Sequence, residues 1–222
     1  TLIESRCFEN AACTVRGHGN SSWIFMRDEK PSYRLKLAEK ADLLGISPEP
    51  VRDYVLISNH QDKLMLRNWT VQHLAGLLGT IPYVRESVYV NLYVNGGYRG
   101  VYQLFVKIET GKGRIDIDDS GEEADTGFLL ELDMRVAEEG KKPYFELPGT
   151  GVLFAVKSDG ANEAQLAFIK DYVSGFYSAI RSGSREAVEQ YADLDSLLDI
   201  FILEEFTRER DAGFSSFYIV RD

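Results

Sequence analysis

The sequence predicts an α+β fold, with an antiparallel, strand-rich N-terminal part and a helical C-terminal part. Alternating apolar and polar residues, joined by turns such as Asn95-Gly96-Gly97, dominate the first 109 residues. From residue 161 onward, apolar residues instead recur at helical spacing. We therefore expect one domain in three stretches: strands over 1–109, connecting strands and a loop over 110–160, and helices over 161–222.

The elements predicted for the strand-rich part are short and are separated by turns. The first two strands flank a glycine-containing loop and are expected to form a hairpin, while the run at 53–58 is either a buried strand or the lead-in to a helix. Asp62 is a candidate N-cap for that helix and Gly79 a candidate C′ residue. The expected elements are strands at 12–16, 22–26, 32–38, 53–58, 87–94 and 98–106, and a helix from Asp62 to about Leu78.

The remainder begins with a polar, acidic loop at 110–125, whose spacing does not fit a calcium-binding loop. The last predicted helix, 195–206, is apolar on two sides and is therefore expected to be buried. The expected elements are strands at 126–133, 143–147, 152–157 and 215–220, and helices at 162–181, 185–191 and 195–206.

The composition excludes several classes of protein. Of the 222 residues, 44% are hydrophobic, which is enough for a core. The net charge of −10 argues against a nucleic-acid partner and requires any phosphate site to be locally basic. No apolar run reaches the length of a membrane span, and no signal peptide is visible. Cys7 and Cys13 either pair with each other or are two buried thiols, and they are too few for a four-ligand zinc site.

A candidate phosphate loop lies near the N-terminus, in the segment from Arg16 to Trp23, which reads Arg-Gly-His-Gly-Asn-Ser-Ser-Trp. Backbone N–H groups of such a loop can cradle phosphate, and Lys36 on the following strand can then reach it. Protein kinases combine a glycine-rich loop and a strand lysine in this way. The alternative is an ordinary turn followed by a solvent-facing lysine, and Lys30 and Arg34 compete with Lys36 as the phosphate-binding group.

A second candidate lies in the loop before the last strand, where Asp211 precedes Ser216 by five residues. Protein kinases place an aspartate and a metal-binding asparagine at this spacing in their catalytic loop. The alternative is an acidic loop residue paired with Arg208 or Arg210. The three histidines are scattered, which argues against a histidine-rich metal centre, although His18 at the loop tip could touch a ligand.

Six segments in this order resemble the spore coat protein H (CotH) kinase family of atypical secreted protein kinases. They are Arg16–Trp23, Lys30–Leu37, Asp62–Asn68, Asn95–Tyr102, Gly127–Glu131, and Phe201–Glu205 with Asp211 and Ser216–Tyr218. The resemblance implies a kinase-like fold that binds ATP and Mg²⁺ or Mn²⁺ and phosphorylates Ser or Thr of secreted or coat proteins. It also implies an extracytoplasmic or spore-coat location.

The resemblance also assigns roles to individual residues. Lys36 would bind phosphate, Asp211 would orient the acceptor hydroxyl, and Ser216 would offer an oxygen to the metal. Asp62 or Arg67 would fix the lysine or the phosphates from the helix. The phosphate loop would consist of Arg16, Gly17, His18, Gly19, Asn20, Ser21 and Ser22.

The sequence departs from the family pattern at three places. Val106 and Glu209 replace an acid and an asparagine, and the family's Trp-Asp-Phe-Asp segment would follow Asp222. Because the sequence lacks an initial Met and stops after a strand-like run, we expect a fragment truncated at the C-terminus. A non-enzymatic scaffold, with a partner surface of tyrosines, is the alternative, and an ATP-using ligase is a weaker one. The acceptor protein and the oligomeric state are not indicated.

Overall fold

The structure, a computed structural model, describes residues 11–26, 28–140, 143–158 and 160–222. Within these ranges the chain forms nine strands and six helices, which confirms the predicted mixture of helices and antiparallel sheets. The chain divides into two compact units. The first unit runs to Leu77 and adds Tyr83–Ile108 and Lys112–Arg114, and the second contains Leu78–Pro82, Glu109–Gly111 and Ile115–Asp222.

The first unit is built on a five-stranded antiparallel sheet with the strand order β1-β2-β3-β5-β4. The hairpin between β4 and β5 is confirmed: Asn95 and Gly96 both have positive φ, as a two-residue type I′ turn requires. The elements are β1 Cys13–His18, α1 Ser21–Met26, β2 Ser32–Ala41, β3 Val51–Ile57, α2 Arg67–Leu78, β4 Ser87–Val94 and β5 Gly97–Val106.

The second unit is built on a four-stranded antiparallel sheet with the order β7-β8-β6-β9. Its core forms where Ile169 and Val173 of the longest helix pack on the sheet. A capping box between Asn162 and Gln165 fixes the start of that helix. The elements are β6 Phe128–Asp133, α3 Val136–Glu139, β7 Tyr144–Glu146, β8 Leu153–Val156, α4 Glu163–Ser182, α5 Arg185–Glu189, α6 Leu194–Thr207 and β9 Ser215–Arg221.

Two predicted elements near the candidate site are wrong in detail. The expected strand 22–26 is the helix α1, because the carbonyl of Asn20 accepts the N–H groups of both Trp23 and Ile24 and starts a helical turn. The partner of β1 is therefore β2. The helix expected from Asp62 begins only at Arg67, where the Asp62 carboxylate accepts the Arg67 N–H at 2.8 Å.

The helix α6 was expected to be buried, and this prediction is wrong. Leu203 is its only buried residue, whereas Leu198, Phe201, Ile202 and Phe206 are each about half exposed or more. The core of this unit is already filled by α4 and the sheet, and α6 adds no residue to it. A helix that is apolar around most of its circumference can turn only one side toward such a core.

Two further expectations concern the cysteines and a membrane span. The alternative of buried thiols is wrong for Cys13, which is exposed, and its pairing stays open because Cys7 lies outside the described residues. Among the described residues, none of the helices has the length and hydropathy to cross a bilayer.

Candidate functional site

The two faces of the first sheet differ in chemistry. Directly opposed residues of neighbouring antiparallel strands point to the same face, so the strand register assigns each side chain to one side. One face carries the apolar core, which includes Tyr54, Leu56, Tyr102 and Leu104. The other face, here called the cationic face, carries most of the charged residues of these strands.

The register brings four charged side chains together on the cationic face. Arg16 of β1 lies opposite Arg34 of β2, and Lys36 of β2 lies opposite Asp53 of β3. Because Arg34 and Lys36 are two positions apart on one strand, they share this face, as the alternation of β2 predicts. Three cations and one carboxylate therefore lie on adjacent positions of three strands.

Arg34 and Asp53 form an ion pair in the middle of this group. Arg34 donates from Nε at 3.1 Å and from Nη2 at 2.5 Å, and both bonds go to the same oxygen, Oδ1 of Asp53. The two side chains are only 17% and 12% exposed. The pair is thus partly withdrawn from water, where charge interactions are screened less than at an open surface.

Two more cations lie next to the ends of β4 and β5: Arg85 precedes β4, and Lys107 follows β5. Arg34 lies opposite Val55, which lies opposite Phe105, and both apolar side chains are 1% exposed. The Arg85 guanidinium lies 4.7 Å from the centre of the Phe105 ring, a cation–π contact on the cationic face. The Lys107 backbone N–H donates to the Asp53 carbonyl at 3.0 Å, next to the ion pair.

The pKa of His18 is lowered by burial and by this arrangement of charges. Its partial burial and the positive charges of Arg85, Lys107, Arg34 and Arg16 lower the pKa of His18 from 6.5 to about 4. Each of these effects disfavours a further positive charge on the imidazole. In a chain with a net charge of −10, this face is therefore locally basic, which is the condition that the composition sets for a phosphate site.

The depressed pKa of His18 predicts a pH-dependent stability. Below pH 6.5 the unfolded chain binds a proton at His18 that the folded chain does not bind until about pH 4. The free energy of unfolding should therefore fall by about 2 kcal/mol between pH 7 and pH 5, with no contribution from His18 above that window. Urea unfolding of the wild type and of His18→Gln measures it, since the variant should lack this slope. Equal slopes for the two proteins would contradict the assignment.

The small-residue turn between β1 and β2 is folded tightly on itself. The Ser22 hydroxyl donates to the His18 carbonyl at 2.7 Å, and Gly19 has a φ of 80°, which favours glycine. The Trp23 indole N–H donates to the Ser32 carbonyl at 2.8 Å, and its ring covers Gly17. The turn therefore presents His18 at the edge of the cationic face rather than acting as an open glycine loop.

The two candidate lysines have different environments. Lys30 donates to the carbonyls of Ser58 at 2.8 Å and Val101 at 2.7 Å, and its ammonium lies 4.9 Å from the centre of the Tyr102 ring. It therefore supports the sheet and is not available for phosphate. Lys36 is exposed on the cationic face, directly opposite Asp53.

Asp62 and Arg67 lie at the start of α2 and contact each other. The Asp62 carboxylate accepts the N–H groups of Leu64 and Arg67, and the bond from Arg67 holds the pKa of Asp62 below its usual range. The Arg67 Nε lies 3.9 Å from the same carboxylate. The direct role of the two residues is to organise the start of the helix.

Asp211 and Ser216 lie in the second unit, around the start of β9. The Asp211 carbonyl accepts the N–H groups of Phe214 and Ser215, and its carboxylate is exposed. No ion pair joins it to Arg208 or Arg210 in the described part of the chain. Ser216 lies at a register shift between β6 and β9 with a φ of 60°, an uncommon conformation for serine.

Comparison with known families matches the family described as CotH kinase protein over residues 15–222. The chain belongs to the CotH kinase family. The match covers every candidate residue discussed above, in both units of this CotH chain. No curated protein matches the sequence.

ATP and a divalent metal, which kinases use in general, can be tested against the residues present. The cations around His18 fit the phosphates of a nucleotide. Within the described ranges, no group of three or more His, Cys, Asp or Glu residues is placed to hold a metal ion. Mg²⁺ needs only one or two carboxylates when nucleotide phosphates and waters supply its other ligands. Ser216, the residue expected to reach the metal, offers one hydroxyl oxygen in this CotH chain.

The sequence analysis did not find three residues of the cationic face: Asp53, Arg85 and Lys107. The signal for Lys107 was present, because it continues the alternation of Phe105 on the same strand. Asp53 can be assigned to the cationic face only from the strand register, which places it opposite Lys36. Arg85 precedes β4 in an irregular segment, and no local pattern shows that its guanidinium turns onto Phe105.

Proposed function

We propose that this CotH chain is the kinase domain of an ATP- and divalent-metal-dependent protein kinase that phosphorylates Ser or Thr of secreted or coat proteins. The observation that carries the proposal is the cationic face, where four positive charges surround His18 in an acidic chain. Polyphosphates are bound by such clusters because arginine and lysine form charge-assisted hydrogen bonds to phosphoryl oxygens. The match to the CotH kinase family supports phosphoryl transfer as the reaction class.

The residues of the chain have separate tasks in this proposal. ATP supplies the phosphoryl group when it is bound. Arg34 and Lys36 hold its phosphates on the sheet, and neutral His18 avoids adding a further like charge to the crowded cations. Asp211 accepts a hydrogen bond from the acceptor hydroxyl and orients it for attack. Positioning and charge neutralisation account for most of the catalysis in such transfers.

The proposal is tested by ATP binding and phosphoryl transfer with the full-length protein. Titration calorimetry with Mg²⁺–ATP should give measurable binding, and radiolabelled γ-phosphate should appear on the protein itself or on an added acceptor. Lys36→Ala should weaken ATP binding about tenfold or more, because it removes one charge from the phosphate site. Lys40→Ala is the matched control, since Lys40 is another exposed lysine of β2.

Two results would contradict the kinase proposal. One is ATP binding by the wild type no better than in buffer controls. The other is equal binding and equal transfer by the wild type and Lys36→Ala.

A non-enzymatic binding module of the cell surface or spore coat is the second candidate. Two exposed tyrosines, Tyr93 and Tyr98, favour it, since they are 62% and 55% exposed and their ring centres lie 5.2 Å apart. The other two candidate tyrosines contact the protein itself: Tyr102 is buried, and the partly buried Tyr89 donates its hydroxyl to the Met65 carbonyl. Phosphorylation that requires Asp211 would exclude this alternative.

A further inference from the structure

The cationic face contains an acid whose role no family motif explains. Asp53 is a buried carboxylate, and it is paired with Arg34 between Lys36 on one strand and Lys107 at the end of another. A site that binds only anions would gain nothing from a permanent negative charge at its centre. Removing it, however, would take a negative charge away from several cations that lie near one another and partly out of water, which is costly.

Across the first two strands, like charges already face each other. Arg16 lies directly opposite Arg34, and like charges in that position destabilise a sheet. Asp53 lies on the other side of Arg34 and offsets this repulsion. A bound phosphoryl group would offset the same repulsion, because it presents negative oxygens to the same guanidinium.

We propose that Asp53 is a built-in counter-ion of the phosphate site: it holds Arg34 in place when the site is empty, and an incoming phosphoryl group competes with it for the guanidinium. The inference rests on the proposed function, because it takes the cationic face to be the site that binds the nucleotide phosphates. It assigns Asp53 as a positioning residue that sets the affinity of the site for polyphosphate.

The geometry of the ion pair allows a substitution that removes the charge of Asp53 but keeps the hydrogen bonds that position Arg34. Both hydrogen bonds from Arg34 go to one oxygen, Oδ1, so the amide oxygen of an asparagine can accept both. Asp53→Asn therefore keeps Arg34 in place and removes the competing charge. Asp53→Ala removes both the charge and the hydrogen bonds.

The test measures binding of inorganic triphosphate, without metal, to the full-length protein by calorimetry and by thermal shift. Asp53→Asn should bind triphosphate about tenfold more tightly than the wild type, with a thermal shift larger by about 3 °C. Asp53→Ala should gain less triphosphate affinity than Asp53→Asn, because Arg34 loses the two hydrogen bonds that Asp53 accepts from it. Glu131→Gln is the matched control, since Glu131 forms a similarly buried pair with Lys157 in the second unit and should bind like the wild type.

The outcomes separate this inference from the kinase proposal. If the wild type binds ATP but Asp53→Asn binds triphosphate equally or more weakly, the counter-ion role is wrong and the kinase proposal stands. If Asp53→Asn gains triphosphate binding but neither protein binds ATP, the counter-ion role stands and the kinase proposal fails. If no protein binds either ligand, both fail.

A second variant covers the case in which Asp53→Asn does not fold. The double variant Arg34→Gln with Asp53→Asn replaces the ion pair by a neutral hydrogen-bonded pair and removes both charges of the pair together. It should fold and bind triphosphate at least tenfold more weakly than the wild type, because the guanidinium is absent. Unchanged affinity in this variant would overturn the proposal.

Discussion

Replacement of Gly17 by alanine is expected to destabilise the first unit by about 3 kcal/mol. A Cβ atom at this position would lie 2.3 Å from Cε2 and 2.5 Å from Nε1 of Trp23. The indole ring cannot simply rotate away, since its N–H donates to the Ser32 carbonyl and its ring meets Tyr33 edge to face at 6.1 Å. The variant must therefore lose the hydrogen bond, displace the ring or distort β1.

Urea unfolding measures this effect, with Gly76→Ala as the control. Gly76 lies in α2, and an added Cβ there meets no atom within 4 Å, so alanine should be neutral or stabilising by up to about 1 kcal/mol. The double variant Gly17→Ala with Trp23→Leu should recover part of the loss, because the clashing ring is gone. Equal stabilities of the two single alanine variants would show that Trp23 does not pack on Gly17 as described.

Replacement of Asp211 by asparagine is expected to lower the rate of phosphoryl transfer by about 10²- to 10⁴-fold, the usual contribution of a group that handles the acceptor proton. Asparagine keeps the size of the side chain and the backbone bonds of the loop, because Phe214 and Ser215 donate to the Asp211 carbonyl, not to its carboxylate. The affinity for ATP should therefore change little. This prediction depends on the proposed function.

The transfer assay with saturating ATP tests this effect, and Asp171→Asn is the control because Asp171 is an exposed aspartate on α4. Full activity in Asp211→Asn would show that another group orients the acceptor hydroxyl. An equal loss of transfer rate in Asp171→Asn would show that the effect comes from the change in net charge and not from the position of Asp211.

Periodic and turn-rich segments could be predicted from the sequence because their determinants are local. The β4–β5 hairpin follows from the turn at Asn95 and Gly96. Asparagine and glycine both tolerate the positive φ values that this turn requires. The helix α4 follows from its apolar stripe and from Asn162 at its start. In both cases neighbouring residues alone select the conformation.

Errors occurred where a distant contact decides the structure. The segment 22–26 is a short, largely apolar run like that of a strand, but it forms α1, where Trp23 packs on Gly17 and donates to the Ser32 carbonyl. The helix α6 has the composition of a buried helix, yet α4 occupies the core that it would fill. Neither outcome can be derived from the local pattern alone.

The candidate site could be predicted only in part for the same reason. The shared face of Arg34 and Lys36 follows from alternation within one strand. Whether Arg85 and Lys107 join them depends on the pairing of β3 with β5, which is a non-local property of the sheet. A cationic face assembled across several strands therefore leaves only fragments of its pattern in the sequence.

The central claim is that the cationic face of the first sheet binds the nucleotide phosphates. A crystal structure of the full-length protein with Mg²⁺ and a non-hydrolysable ATP analogue tests it most directly. The account predicts phosphoryl oxygens within hydrogen-bond distance of the Arg34 guanidinium, with the Asp53 carboxylate displaced from at least one of its two bonds to Arg34. A triphosphate bound elsewhere, with the Arg34–Asp53 pair unchanged, would contradict it.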